Sequence, residues 1–346
     1  MMYRKIMVPL DGSTLSEKVL PFVIRLANRL ESEVLLLRVV ETQTLLTTTP
    51  LHRQESIQKG EAYLHQIRRV ITEPGYLPYL KPDQVQTLCV YGSPVEEICR
   101  AATTEKVDMN IMTTHGRNGL SRLVAGSVAS RVLHDVALPV MLIRPVEQKY
   151  GQLLQETLYG LGEPNTTCLD DKDGQILLTL DGSAEAAAAI EPAIELGRKL
   201  GSTLHLLNVI EPAIPVGYGE MYGLIYNQDQ IDGTDSQNVA QARIYLDKIQ
   251  KQVQDSGLKC VKVIKMGKPA REILDYSQLI VAQAIIMTSH KRSEMAHFFL
   301  GSVAQAVLHE SHLPVLMVPT VLYLKETDTS PAEQPVAVVS QFDVLI

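Results

Sequence analysis

Apolar and polar positions follow two periods along this chain, and the two take turns from one end to the other. Lys5 to Leu10 is a short apolar run of strand length. Leu15, Val19, Phe22, Val23, Leu26 and Leu30 then recur at helical spacing, after an Asp11-Gly12-Ser13 turn in which Ser13 or Thr14 can cap the helix. Glu33 to Val40 is almost continuously apolar, as expected of a strand covered on both faces. A helix near Arg53 to Thr72 and a strand over Val85 to Tyr91 follow. Gly92-Ser93-Pro94 ends that strand and opens a helix, with Ser93 as cap and Pro94 at the first helical position. The pattern closes with a strand at Val107 to Thr113, a helix at Gly126 to Val136 and a strand at Pro139 to Ile143. Such alternation predicts an open parallel sheet with right-handed crossovers. Ligands in these sheets sit outside the carboxyl ends of the strands, where the strand order reverses. Here that means the loops after strands one and four.

The second half repeats the first. "IMVPLDGSTLSEKVLPFVIRLANRL" from Ile6 matches "ILLTLDGSAEAAAAIEPAIELGRKL" from Ile176, with Asp11 and Asp181 at an offset of 170. Val39 and Val209 keep that offset. "GSPVEEI" from Gly92 matches "GKPAREI" from Gly267 at an offset of 175, and His115 with His290, Gly126 with Gly301 and Pro139 with Pro314 keep it. One change of five residues is what a duplication with a single loop insertion leaves behind. The second copy predicts strands near Gln175, Thr203, Lys259, Ala284 and Pro314. The organisation is a first domain over 1–146, a polar, glycine-rich linker over 147–173, a second domain over 174–320 and a tail over 321–346. Leu153 to Leu161 can form a short helix in the linker. "KETDTSPAEQP" is charged and proline-bearing and reads as flexible, although "VAVVSQFDVLI" at the end is apolar.

Composition narrows the function. Of the 346 residues, 45% are apolar and 21% charged, the profile of a globular chain with room for two cores. A net charge of -7 argues against a general nucleic-acid binder, and the scattered basic residues argue against an anionic membrane surface. Cys89, Cys99, Cys168 and Cys260 have no C-x-x-C spacing and no accompanying histidine cluster, so no zinc site is expected. Cys89 and Cys260 fall inside apolar strand runs and read as core thiols. The N-terminus enters a strand pattern at once and no apolar run reaches membrane-spanning length, so the expected compartment is the cytoplasm.

The ordered set "VPLDGS" after the first strand, the "GSP" turn, "THGRNG" after the fourth strand and "GSVASRVLHDVALPVMLIRP" resembles the universal stress protein family, and the resemblance covers both copies. It implies a Rossmann-like, doubly wound domain with five strands in the order 3-2-1-4-5. It further implies that domains pair through their last strands, here as an intramolecular pseudo-dimer joined by Pro139 to Ile143 and Pro314 to Val318. Short apolar edge strands are a liability unless paired, which points the same way. Members are described as stress-response proteins with no settled catalytic activity. A subset is implied to bind ATP through G-x-x-G, nine residues, then G-S or G-T.

In the first copy Gly116 supplies the second glycine, Arg117 to Ala125 are the nine residues, and Gly126-Ser127 closes the pattern, while Thr113 stands at the first glycine position. Glycines suit a phosphate because the main chain must come within hydrogen-bond reach with no Cβ in the way and with positive φ available. The helix that starts at Gly126 offers free N–H groups and a favourable dipole, the Ser127 hydroxyl one more donor, and Arg117 a charge. By resemblance Asp11 contacts the nucleoside, with Pro9 beside it and the backbone of Val39 near the base. The expected nucleotide site is therefore Pro9, Asp11, Val39, Gly116, Arg117, Gly126, Ser127 and Val128, for ATP or a related adenine nucleotide, with Mg accompanying the nucleotide. The second copy keeps only Gly301-Ser302, with Thr288 and Lys291 at the early glycines and Thr179 in place of Pro9. Lys291 is a point charge that fills the space a glycine would leave, so one ATP per chain is expected, in the first domain.

Plainer readings stand beside these. Gly-Ser at a helix start caps helices without any ligand, and an Asp-Gly turn ends strands for local reasons. His115 and His290 read as turn histidines, because no carboxylate pair or nucleophile lies at a diagnostic spacing. Met287, Met295 and Met317 read as core or rim fillers. The competing functions are a nucleotide-free interaction scaffold and a slow ATPase; the S-G-G-x-D and H-I-G-H signatures of adenylate-forming and pyrophosphatase relatives of the topology are absent. Protein partners are expected but not identified by the sequence, and a homodimer of the two-domain chain is an open expectation.

Overall fold

The computed structural model describes residues 2–41, 50–74, 79–114, 126–144, 173–212, 233–289 and 300–320. The first domain runs β1 (Lys5–Pro9), α1 (Thr14–Glu17), α2 (Leu20–Leu30), β2 (Glu33–Val40), α3 (Pro50–Thr72), β3 (Val85–Tyr91), α4 (Pro94–Thr104), β4 (Met109–Thr113), α5 (Ser127–Asp135) and β5 (Val140–Ile143). The second runs β6 (Gln175–Thr179), a 3-10 turn at Glu185–Ala189, α6 (Ile190–Leu200), β7 (Thr203–Ile210), α7 (Gly233–Asp255), β8 (Cys260–Met266), α8 (Pro269–Leu279), β9 (Ala282–Ser289), α9 (Ser302–Glu310) and β10 (Val315–Pro319). The helix expected at Leu153–Leu161 and the tail from 321 lie outside the described residues.

All ten strands form one sheet in the order β3-β2-β1-β4-β5-β10-β9-β6-β7-β8. Each half is thus 3-2-1-4-5 in its own numbering, the order the family resemblance implies. Every pairing is parallel except β5 with β10, which run antiparallel with Val315 opposite Leu142, Leu316 opposite Met141 and Met317 opposite Val140. The seam is therefore the two last strands, and Met141, Leu142, Leu316 and Met317 are all buried there. Hydrogen bonds to helix carbonyls join the halves as well. The Tyr3 hydroxyl donates to the Pro192 carbonyl at 2.9 Å, Arg29 Nη2 to the Leu200 carbonyl at 3.2 Å, and Arg144 Nη1 to the His309 carbonyl at the end of α9.

The apolar runs in the strands follow from burial on both faces. Ile6, Val8 and Leu36 enter one core with α2, α3, α6 and α7, while Met7, Leu35 and Leu37 enter the other with α4, α5, α8 and α9. One sequence expectation is corrected. The helix expected as a single piece from Leu15 to Leu30 breaks at Lys18–Val19, between α1 and α2. Pro21 has no N–H to donate to the preceding turn, so the helical hydrogen-bond ladder is interrupted there while the backbone stays right-handed. Pro192 has the same effect in the second domain, where the 3-10 turn precedes α6. Ser13 is the N-cap of α1, its hydroxyl accepting the Ser16 amide at 3.1 Å. Ser93 and Pro94 hold the expected places at the start of α4, although the serine hydroxyl makes no capping bond.

Candidate functional site

The carboxyl ends of β1 and β4 meet at the point where the strand order of the first domain reverses. Pro9 closes β1 opposite Leu37 of β2, and Leu10 N–H donates to the Leu37 carbonyl at 2.8 Å. Main-chain groups alternate sides along a strand. The amide and carbonyl of Val39, two residues beyond Leu37, consequently face the side on which β1 has already ended. Val209 of β7 holds the same position in the second domain, because Leu180 N–H donates to the Leu207 carbonyl at 2.8 Å. A strand end of this kind can offer a planar base one donor and one acceptor.

Asp11 follows. Its Oδ1 accepts the Ser13 amide at 2.9 Å and the Ser13 hydroxyl at 2.5 Å, and Gly12 between them has φ +75, a conformation that favours glycine. Asp181 repeats the arrangement at 2.9 and 2.6 Å. The carboxylate therefore has a local task in both domains, orienting the turn that feeds the next helix.

On the neighbouring strand Thr113 ends β4, and Thr114 N–H donates to the Ile143 carbonyl at 3.0 Å. Gly126 is the N-cap of α5, followed by exposed Ser127 and half-buried Val128. The first helical bond is Ser130 N–H to the Gly126 carbonyl, at 2.9 Å. The amides of Ser127, Val128 and Ala129 come before it, at the positive end of the helix dipole. Two details differ from the sequence expectation. Gly126 N–H donates to the Thr114 carbonyl and so has a partner inside the protein. Gly126 also has φ -52 and ψ 151, open to any residue, so positive φ is not what requires a glycine here. Gly301 is nearly identical, at φ -53 and ψ 148. His115, Gly116 and Arg117 in the first domain, and His290 and Lys291 in the second, lie outside the described residues.

Pro9, Asp11, Val39, Gly126, Ser127 and Val128 thus share one sheet edge. The fold adds three side chains that sequence reading did not place there. Arg38 Nη1 donates to the Leu10 carbonyl at 3.2 Å, and its guanidinium lies 5.9 Å from the centre of the Tyr63 ring. The Tyr63 hydroxyl donates to Glu17 Oε1 at 2.9 Å. Burial pushes the Glu17 carboxyl up; the bond from Tyr63 opposes this, and the charge of Asp11 adds to it. Burial also raises the Tyr63 phenol, with the Glu17 charge next in size. A signal for Arg38 did exist: after Glu33 at the start it is the one charged residue in the apolar run of β2, and Asn208 is the polar residue at the same place in β7. Cys89 and Cys260 are half-buried thiols, both raised by burial. Among the described residues no group of three or more His, Cys, Asp or Glu side chains is placed to hold a metal ion. No helix among them is long and apolar enough to cross a membrane.

Comparison with known proteins agrees with this architecture. The chain is 32% identical over 151 residues to universal stress protein Sll1388 of Synechocystis, covering 42% of this chain and 97% of the relative. It is 28% identical over 148 residues to universal stress protein MJ0531 of Methanocaldococcus jannaschii, covering 41% and 83%. A universal stress protein from Archaeoglobus fulgidus superposes with a TM-score of 0.64 at 21% identity, over 92% of this chain and 100% of that one, which speaks for the fold. The profile of the universal stress protein family matches residues 2–144 and again residues 174–319. With both halves matched, the chain belongs to the universal stress protein family and carries two of its domains in tandem.

Proposed function

We propose that the first domain binds ATP or a related adenine nucleotide and that the chain is a cytoplasmic, nucleotide-responsive stress protein whose output is contact with other proteins. The observation that carries this is the juxtaposition at the first domain's switch point. The Val39 main chain stands past the end of β1, beside the Asp11 turn, and the start of α5 lies at the end of β4. Base, ribose and phosphate chemistry have counterparts there in that order. The amides of Ser127 and Val128 suit phosphate oxygens. With no carboxylate cluster for a metal among the described residues, Mg would arrive on the nucleotide phosphates. The second domain departs from the pattern at Thr179, whose hydroxyl donates to the Ile286 carbonyl at 3.3 Å, and at Lys291.

Titration of the full chain with a fluorescent ATP analogue tests the reading, with one site per chain as the expected result. Gly126→Val should abolish binding by blocking main-chain approach. Ser127→Ala should weaken it only by one hydrogen bond, roughly 0.5–1.5 kcal/mol. Two sites of similar affinity, or equal affinity in both variants, would overturn it. A nucleotide-free scaffold is the second reading. It is favoured by the Gly126 amide being bonded to Thr114 and by Asp11 being engaged in its own turn.

A further inference from the structure

We propose that Arg38 is a positioning residue for the first domain's nucleotide site, holding the Asp11 turn in the geometry a nucleoside needs; this rests on the nucleotide reading above. Both domains anchor the carbonyl that precedes the turn from the neighbouring strand. Arg38 Nη1 reaches Leu10 at 3.2 Å, and Asn208 Nδ2 reaches Leu180 at 2.7 Å. Only the arginine goes further. A Cβ built on Gly12 would stand 3.5, 3.5 and 3.6 Å from Arg38 Cζ, Nη1 and Nη2, whereas one on Gly182 would meet nothing within 4 Å. Three near-equal distances place the flat face of the guanidinium against Gly12. Asn208 is too short to do this, and the second turn stands open.

The guanidinium is itself held. It lies over Tyr63 of α3, and Tyr63 is bonded to Glu17 of α1, the helix into which the turn runs. Turn, helix and strand are thereby tied in one circuit. The second domain has Ala187 where Glu17 stands, and a 3-10 turn in place of α1. A carboxylate that must meet a ribose contributes more when its backbone is already fixed, because less freedom is lost on binding. The planar, always-charged guanidinium suits such packing, and lysine or asparagine would not reproduce it.

Arg38→Asn is the informative variant. It keeps a donor for the Leu10 carbonyl, and Asn208 shows that asparagine serves at this register. The expected result is an unchanged melting temperature and an ATP affinity lower by about tenfold. In an Asp11→Ala background the same substitution should cost nothing more, since the arginine acts through the turn. Hydrogen exchange without nucleotide should show the Ser13 amide better protected than the Ser183 amide, with Arg38→Asn removing the difference. Native affinity in Arg38→Asn, or losses that add with Asp11→Ala, would overturn the proposal while leaving ATP binding in place. If the native chain binds no ATP, the nucleotide reading fails, and the exchange experiment then judges the clamp by itself: equal protection of Ser13 and Ser183 overturns it.

Discussion

The two domains were built to one plan and then filled differently, and their interiors differ more than their backbones. In the first, polar side chains collect behind the carboxyl edge: Glu17, Arg38 and Tyr63 lie under the turn of Asp11. In the second, they collect at the opposite end of the sheet. His205 lies with Nδ1 2.8 Å from the Tyr276 hydroxyl and Nε2 2.7 Å from Gln175 Oε1, and the Ser202 hydroxyl donates to Gln283 at 2.7 Å nearby. The first domain has Leu35 and Ala101 in place of His205 and Tyr276. Polar groups inside a sheet domain cost free energy unless partners complete them. The bonded cluster of the first copy lies at the carboxyl edge of its strands, and that of His205 in the second lies at the amino edge.

The largest way to test the contrast is through α3. Gly60 faces β3 so closely that a Cβ there would stand 2.5 Å from Cys89 Sγ and 3.3 Å from Val40 Cγ2. The second domain carries Ala242 at the matching turn of α7, where buried Leu246, Ile249 and Val253 repeat Leu64, Ile67 and Ile71 at an offset of 182, so the copies differ by two loop changes and not by the single insertion expected. Gly60→Ala should destabilise the first domain by roughly 2–3 kcal/mol through overpacking. Adding Cys89→Ala should recover most of it, as read from urea midpoints. A wild-type midpoint for Gly60→Ala would show that the two helix–sheet interfaces are interchangeable after all.

A smaller effect, of opposite sign, is expected at Asn110. This residue is fully buried on β4, and neither Nδ2 nor Oδ1 has a hydrogen-bond partner among the described residues. Ile285 stands at the same place in the second domain. An unpaired buried amide costs about 1–3 kcal/mol. Asn110→Val, close to asparagine in volume, should therefore stabilise the first domain by about 1–2 kcal/mol in chemical denaturation. A loss of stability would mean that the amide is satisfied in solution.

The smallest effect is confined to acid. Burial lowers the imidazole pKa of His205 below its ordinary 6.5. As pH falls through 6.5 the unfolded chain takes up the proton first, so stability is complete above that value and is lost between it and the lower folded value. Unfolding free energies at pH 7 and pH 5 should differ less in His205→Leu than in the native chain. An identical difference in both would show that His205 does not contribute to the acid limb.

Much of this was legible before any coordinates. The duplication and the ten strands follow from local pattern, because a strand buried on both faces is apolar throughout and a turn announces its end; the pairing of last strands was what the family resemblance implied. Pro21 and Pro192 announced the helix breaks as well, but the apolar spacing from Leu15 to Leu30 runs through the break and hides it. The site was legible in part. Asp11, Val39 and Gly126-Ser127 fell on one edge as expected. That the Gly126 amide is already bonded was not legible, whereas the local task of Asp11, repeated by Asp181 in the second domain, was the plainer reading of the Asp-Gly turn.

Sequence by itself determined the doubled order of elements, since that depends on periodicities a few residues long, while the seam between the halves came from the family resemblance. Only the tertiary structure decided what stands behind the Asp11 turn. Arg38 reaches Gly12 because β1 and β2 lie side by side in a parallel register that a whole helix separates along the chain, and Tyr63 arrives there on α3 from further still. Parallel neighbours are joined by crossovers, so the contacts between them leave no local period to read.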